Sequence, residues 1–271
     1  MSTIPATVPP AVSVATTAIA TPTAPARPAP LGARVPVTFA AVRRRWPAAT
    51  TLAAIVPLIL GLAATIDGGR LLVWDAWLTD AAVAHRTAWL DDLALAVSRL
   101  GSWAIVFPVA AVLALAAARR SRTLAWVILV TVAARPAVEW LLKDLVARPR
   151  PDGARLVPGT GYSYPSGHVL AACATWAFLP VVVALYTHRR AIWWASVAAA
   201  GSLIALIAWS RVWLGVHWAS DVVASLLLAF LALSAAEAWV DRRRPAERAA
   251  HAPTPEAPAP DGVDLEPALS D

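Results

Sequence analysis

The chain has 271 residues, of which 59% are hydrophobic and only 15% charged, with a mean hydropathy of +0.61. Length alone admits one or two soluble domains, but this hydropathy points to a polytopic membrane protein, because about 18 or more apolar residues cross a bilayer as a helix. The net charge of +6 comes with arginines clustered beside apolar runs and with no nucleic-acid motif, and the single cysteine, Cys173, excludes a disulfide framework within the chain and reads as helix packing.

Residues 1–42 are rich in Ala, Pro and Thr and lack apolar periodicity, so they read as a disordered tail. They lack the positive start and compact apolar core of a cleaved signal peptide. Six candidate spans follow, at 48–66, 102–118, 123–142, 168–187, 191–209 and 219–240. Each bridges ~30 Å of hydrocarbon at ~1.5 Å per residue if the shortest adapts. From 245 to 271 the chain returns to Pro, Ala and acidic residues, a second disordered tail. The membrane core is therefore expected over 43–244.

Arginine clusters set the orientation. Arg43, Arg44 and Arg45 precede the first span; Arg119, Arg120 and Arg122 lie between the second and third. Arg189 and Arg190 lie between the fourth and fifth, and Arg242, Arg243 and Arg244 follow the sixth. All four fall on one side, which is then cytoplasmic, together with both termini. Three segments face outward: 67–101, 143–167 and 210–218. In the first, Trp74, Trp77 and Trp89 stand among charged residues, which suggests short helices lying at the interface, as anchors or as a lid. His85 and Arg86 read as surface residues.

The other two outward segments hold ionisable groups that a membrane excludes unless they are used. "KDLVARPRP" covers 143–151, "PSGH" covers 165–168 and "SRVWLGVHWASD" covers 210–221. Lys143, Arg148, Arg150, His168, Arg211, His217 and Asp221 thus gather at the outer boundary, as one anion site built from three helix ends. Guanidinium forks suit phosphate oxygens. Pro149 and Pro151 stiffen the loop that presents Arg148 and Arg150. Ser166 is placed to cap the next helix with its hydroxyl, Gly167 admits close approach, and the helix start offers N–H groups to an oxyanion. His168 adds a proton donor. His217 and Asp221, four residues apart, share a helical face, so the carboxylate can fix the tautomer of the ring and leave its other nitrogen to attack. One imidazole attacks phosphorus, the other protonates the leaving oxygen, and the cations stabilise the equatorial oxygens. Arg135, Glu139 and Lys143 form a four-residue ladder in which Glu139 either places Lys143 or satisfies a buried ion pair.

These motifs resemble the signature of the type-2 phosphatidic acid phosphatase superfamily, which includes lipid phosphate phosphatases and relatives of vanadium haloperoxidases. Lys143, Arg150 and Pro151 meet its first motif, Pro165 to His168 its second, and Ser210, Arg211, His217 and Asp221 its third. The resemblance implies an all-α, six-transmembrane-helix bundle with a metal-independent, cofactor-free site facing outward. It implies His217 as the nucleophile that forms a phosphohistidine, Asp221 as its orienting partner and His168 as the general acid. Lys143, Arg150, Ser166, Gly167 and Arg211 would hold the phosphate; Arg148, outside the strict pattern, is a weaker binding candidate. The expected activity is hydrolysis of lipid phosphate monoesters or diphosphates in the cell membrane. Transfer of the group to a lipid or sugar hydroxyl, haloperoxidase chemistry, and a non-catalytic lipid-phosphate binding or transport role remain alternatives. Polyprenyl diphosphate, polyprenyl-linked sugar phosphate, phosphatidate and phosphatidylglycerol phosphate are all admissible substrates, because no motif reads the lipid tail. Nor does any motif read the oligomeric state.

Overall fold

The computed structural model describes residues 47–66, 72–152 and 155–250, with side chains described as far as 240. The tail expected at 1–42 lies outside the described residues, as do 251–271; residues 245–250 continue the last helix beyond the expected boundary. All regular structure among the described residues is helical. In chain order the helices are α1 (Pro47–Thr65), α2 (Val73–Ala84), α3 (Ala88–Arg99), α4 (Trp103–Ala118), α5 (Arg122–Val146), α6 (Gly167–Trp176), α7 (Leu179–Tyr186), α8 (Arg190–Trp213) and α9 (Ala219–Ala250).

Five stretches are long and apolar enough to cross a membrane: Ala48–Thr65, Arg122–Val146, Gly167–Tyr186, Arg190–Trp213 and Ala219–Val240. The span expected at 102–118 is the 16-residue α4. It qualifies only together with α3, from which it is bent by 47°, and that pair brings the number to six. The fourth expected span is broken between α6 and α7, where Pro180 sits in the first turn of α7 and cannot extend the preceding ladder.

Burial sorts these helices. The α6–α7 stretch is 61% buried and Ala219–Val240 is 50% buried, whereas α5 and α8 reach only 28% and 22%. The central pair is lined with small residues: Ala171, Ala172, Ala174 and Ala224 pack at the core and allow close helix approach. Cys173 is buried among Val169, Leu170, Ala208, Val222 and Ala229, as its apolar context predicts. The outer helices present Leu58, Val112, Trp126, Trp140 and Leu145, each more than half exposed. So much bare apolar surface suits a hydrocarbon solvent and not water.

Basic and site-bearing helix ends are opposite. α5 begins at Arg122 and ends just beyond Lys143; α8 begins at Arg190 and ends just beyond Arg211. At the basic end, Arg120 lies over the Tyr186 ring at 5.3 Å, and the Tyr186 hydroxyl donates to the Ala116 carbonyl at 2.5 Å. This links the segments that carry two of the arginine clusters.

The segment between α1 and α4 does more than anchor. Trp77 and Trp89 are exposed, but Asp75 on α2 and Ser98 on α3 are buried against the site-bearing end. Arg86, expected at the surface, donates to the Trp213 carbonyl at the end of α8 at 2.9 Å. His85 is exposed and turns back to the Ala81 carbonyl at 2.8 Å.

Candidate active site

Three helix ends build the site. α5 stops at Ala147, a left-handed residue with φ 48° whose N–H closes on the Lys143 carbonyl. That turn sends the chain into Arg148–Pro151, directly beneath the end of α9. α8 stops at Leu214, and Gly215 follows with φ 70°, a conformation that suits a residue without Cβ. The resulting turn brings the N–H groups of Val216 and His217 back onto the Arg211 carbonyl, both at 3.3 Å. Two residues of the third motif are thus joined through the backbone.

A cavity of about 270 Å³ opens between these ends, and Lys143, Arg150, Gly167, His168, Arg211 and His217 all line it. That volume falls just below the roughly 300–1,000 Å³ of sites that enclose drug-sized ligands, so it suits a headgroup with the remainder of a larger molecule outside. Arg135 and Glu139 line it too, as do Gly101, Trp103 and the loop at 158–160. None of these latter residues except Arg135 and Glu139 stands out in the sequence; packing alone brings them to the cavity.

The tautomer of His217 follows from its neighbours. Arg150 Nη1 lies 3.3 Å from His217 Nε2, and a guanidinium can only donate, so Nε2 is the acceptor. His217 Nδ1 lies 2.7 Å from the Ser163 carbonyl, which can only accept, so Nδ1 carries the proton. Asp221 Oδ2 is 3.6 Å from Nδ1, too far for a hydrogen bond. The expected His217–Asp221 hydrogen bond is thereby corrected. The Ser163 carbonyl holds the ring, and Asp221 acts on it as a nearby charge. A backbone carbonyl leaves no mark in a sequence. Burial pushes His217 down to about 4; Asp221 pulls it up and Arg211 and Arg150 push it down further. The ring is therefore neutral at pH 7, with a lone pair on the nitrogen that faces Arg150.

Arg150 is held by carbonyls on three sides: Gly161 at 3.0 Å, Thr160 at 2.8 Å and Val216 at 2.6 Å. Burial lowers its pKa, which the Asp221 charge counters and Arg155 reinforces. Lys143 donates to the Tyr162 carbonyl at 2.8 Å and lies 3.6 Å from Glu139. Arg211 is only 7% exposed. One arm bonds the Ser98 hydroxyl, while its Nε has no partner.

Two expectations for PSGH change. Ser166 occupies the N-cap position of α6, but its hydroxyl makes no capping bond and is buried without a partner. Its backbone N–H instead donates to Ser225 Oγ at 2.8 Å. At Gly167 the close approach comes from Glu139: a Cβ there would overlap the Glu139 carboxylate. The carboxylate also accepts a hydrogen bond from Arg135, whose other contact is the Gly167 carbonyl at 3.3 Å. The predicted ladder is therefore real as geometry, and it reaches the start of α6.

Arg148 is also corrected. It does not line the cavity and is 2% exposed. Its guanidinium binds Asp221 at 2.7 Å, Ser220 at 2.6 Å and Asp75 at 2.7 Å. Both arms of the guanidinium are thus turned away from the cavity, and its Nε is buried without a partner.

The arrangement offers a neutral imidazole nitrogen, a second imidazole and four cations, Arg135 among them paired with Glu139, around one headgroup-sized space. That is the equipment for displacement at phosphorus. Such equipment has known counterparts: residues 123–245, the segment that holds all three motifs, match the PAP2 superfamily. The chain resembles enzymes of the PAP2 phosphatase class. It is 27% identical over 178 residues to phosphatidylglycerophosphatase B of Bacillus subtilis (strain 168), a match covering 63% of this chain and 85% of that protein. Phosphatidylglycerophosphatase B of Escherichia coli (strain K12) is 34% identical over 90 residues, 31% of each chain. The crystal structure of a transmembrane PAP2-type phosphatidylglycerolphosphate phosphatase from Bacillus subtilis shares the fold, with a TM-score of 0.63 and 24% identity, covering 71% of this chain and 96% of that one.

Proposed function

We propose that this chain hydrolyses phosphate monoester or diphosphate groups of membrane lipids at the extracytoplasmic face, through a phosphohistidine on His217 and without a metal. The observation that carries this reading is the unprotonated Nε2 of His217, set in a cavity with Lys143, Arg150, Arg211 and His168. The incoming phosphate oxygens take N–H donors from Arg150, which uncovers Nε2. The Nε2 lone pair then attacks phosphorus, the P–O bond to the lipid breaks, and His168 gives its proton to the departing oxygen. In the second half, water attacks the phosphoryl group, His168 takes a proton from it, and the P–N electrons return to His217 as phosphate leaves. Lys143, Arg150 and Arg211 balance the charge on the equatorial oxygens in both halves. Gly167 brings the start of α6 to the same space; Ser166 supports that turn through its backbone.

Orientation rests on the arginines, which favour the cytoplasmic side. The clusters at 119–122 and 189–190 stand at the helix ends opposite the site, so the site faces out, six spans cross and both termini lie inside. α2 then lies at the outer interface with Trp74 and Trp77. The relatives' names make phosphatidylglycerol phosphate the first substrate to try, beside phosphatidate and polyprenyl diphosphate. Purified protein should release inorganic phosphate from at least one of these in the presence of a chelator. His217→Ala should abolish that release; full activity in the variant would refute the nucleophile.

A further inference from the structure

We propose that Asp75, on α2 and outside every motif, is a positioning residue for the His217 nucleophile, acting through Arg148; this rests on the phosphohistidine reading above. Asp75 also precedes the residues that match the superfamily.

The contacts run without a gap. Asp75 is 1% exposed. Its Oδ1 accepts the Ser220 N–H at 2.8 Å, and its Oδ2 accepts from Arg148 Nη2 at 2.7 Å and from the Ser220 hydroxyl. The other arm of Arg148 donates to Asp221 Oδ1 at 2.7 Å. The second oxygen of Asp221 accepts the Trp218 N–H at 3.0 Å, beside His217. A second route leaves from the backbone. The Arg148 carbonyl accepts the Ser163 N–H at 2.9 Å, and the Ser163 carbonyl holds His217 Nδ1 at 2.7 Å. Both groups that face the rear of the imidazole therefore depend on where Arg148 stands. Arg148 stands where Asp75 holds it, with the Trp218 ring 5.2 Å from its guanidinium carbon.

Charge argues for more than packing. One carboxylate suffices to neutralise one guanidinium, and buried ions beyond that need cost stability. Here two carboxylates, Asp75 and Asp221, flank a single Arg148, with all three no more than 2% exposed. The surplus negative charge sits behind a ring that becomes cationic when Nε2 bonds phosphorus with Nδ1 still protonated. A fixed negative charge there favours the transition state over the neutral ground state. It lies on the far side of the ring from the cavity, so substrate binding does not involve it.

Asp75→Asn tests this, because it keeps the shape and an acceptor for Ser220 while removing the charge. Turnover is measured in detergent micelles, on whichever of phosphatidylglycerol phosphate, phosphatidate and polyprenyl diphosphate wild type hydrolyses, with single-turnover formation of the phosphoenzyme. The expected result is a fall of tenfold or more in kcat and in the rate of phosphoenzyme formation, with KM within twofold of wild type. A kcat within twofold of wild type, or a changed KM with kcat kept, overturns the inference. Should Asp75→Asn yield no folded protein, Ser220→Ala removes the hydroxyl shared by Asp75 and Arg148 and leaves both carboxylates in place. At least a threefold loss of kcat at constant KM is then expected, and unchanged kcat overturns the inference. Wild-type protein run in parallel separates the two claims. No release from wild type on any of the three overturns the functional reading and the inference with it. Normal wild-type turnover beside unchanged variant turnover overturns the inference alone.

Discussion

Acidification should weaken this protein through His217, and the size of the effect can be worked out. The ring is 3% exposed and its pKa is pushed down to about 4, chiefly by burial, against 6.5 in the unfolded chain. Between those two values the unfolded chain binds more protons than the folded one, so stability rises with pH there and is lost as pH falls. Above 6.5 the contribution is complete. Between pH 8 and pH 4.5 the loss comes to roughly 2.5 kcal/mol at 25 °C. For a domain of this size that corresponds to about 5–10 °C in melting temperature. The assay is thermal unfolding in detergent at one scan rate, from pH 8 to pH 4.5, on wild type and on His217→Gln. Other groups titrate in both proteins, so the difference between the two curves isolates the imidazole. Wild type should lose about 5–10 °C more than the variant. Parallel curves would show that the ring is not held neutral, and would undo the tautomer argument with it. In activity, the same neutrality places the acid limb of kcat/KM that His217 governs near pH 4, well below the ordinary histidine range.

Two further outcomes concern the ladder on α5. Glu139→Gln removes the charge that lies between Arg135 and Lys143, and should lower kcat about tenfold while membrane insertion is unaffected; unchanged kinetics would reduce Glu139 to a satisfied ion pair. Gly167→Ala drives a methyl into the Glu139 carboxylate and should lower kcat/KM about tenfold or more. Adding Glu139→Ala should relieve part of that loss, and strict additivity in the double variant would show that the two residues do not meet.

The sequence by itself determined the helical class and the approximate place of the candidate site. Apolar runs of span length can only be helices in a bilayer, because backbone N–H and C=O groups find no other partners there. The costly ions at three of their ends, Lys143, Arg148, Arg150, His168, Arg211, His217 and Asp221, pointed to a shared use, and the structure gathers all but Arg148 and Asp221 of these seven onto one cavity, with that pair buried directly behind His217. Helical periodicity also made the Arg135–Glu139–Lys143 ladder legible, since neighbours four apart meet whatever surrounds them. What the tertiary structure alone decided is which partner each polar atom takes. A sequence shows that Arg148 can bind an anion, but only packing puts Asp75 and Asp221 on its two arms and removes it from the cavity. The same holds for the Ser163 carbonyl on His217, for Ser98 on Arg211 and for the Glu139 carboxylate against Gly167. These contacts join residues far apart in the chain, or use backbone atoms common to every residue. They are fixed by the close approach of small-residue helices and by the requirement that buried polar groups find partners, and neither is written in local spacing.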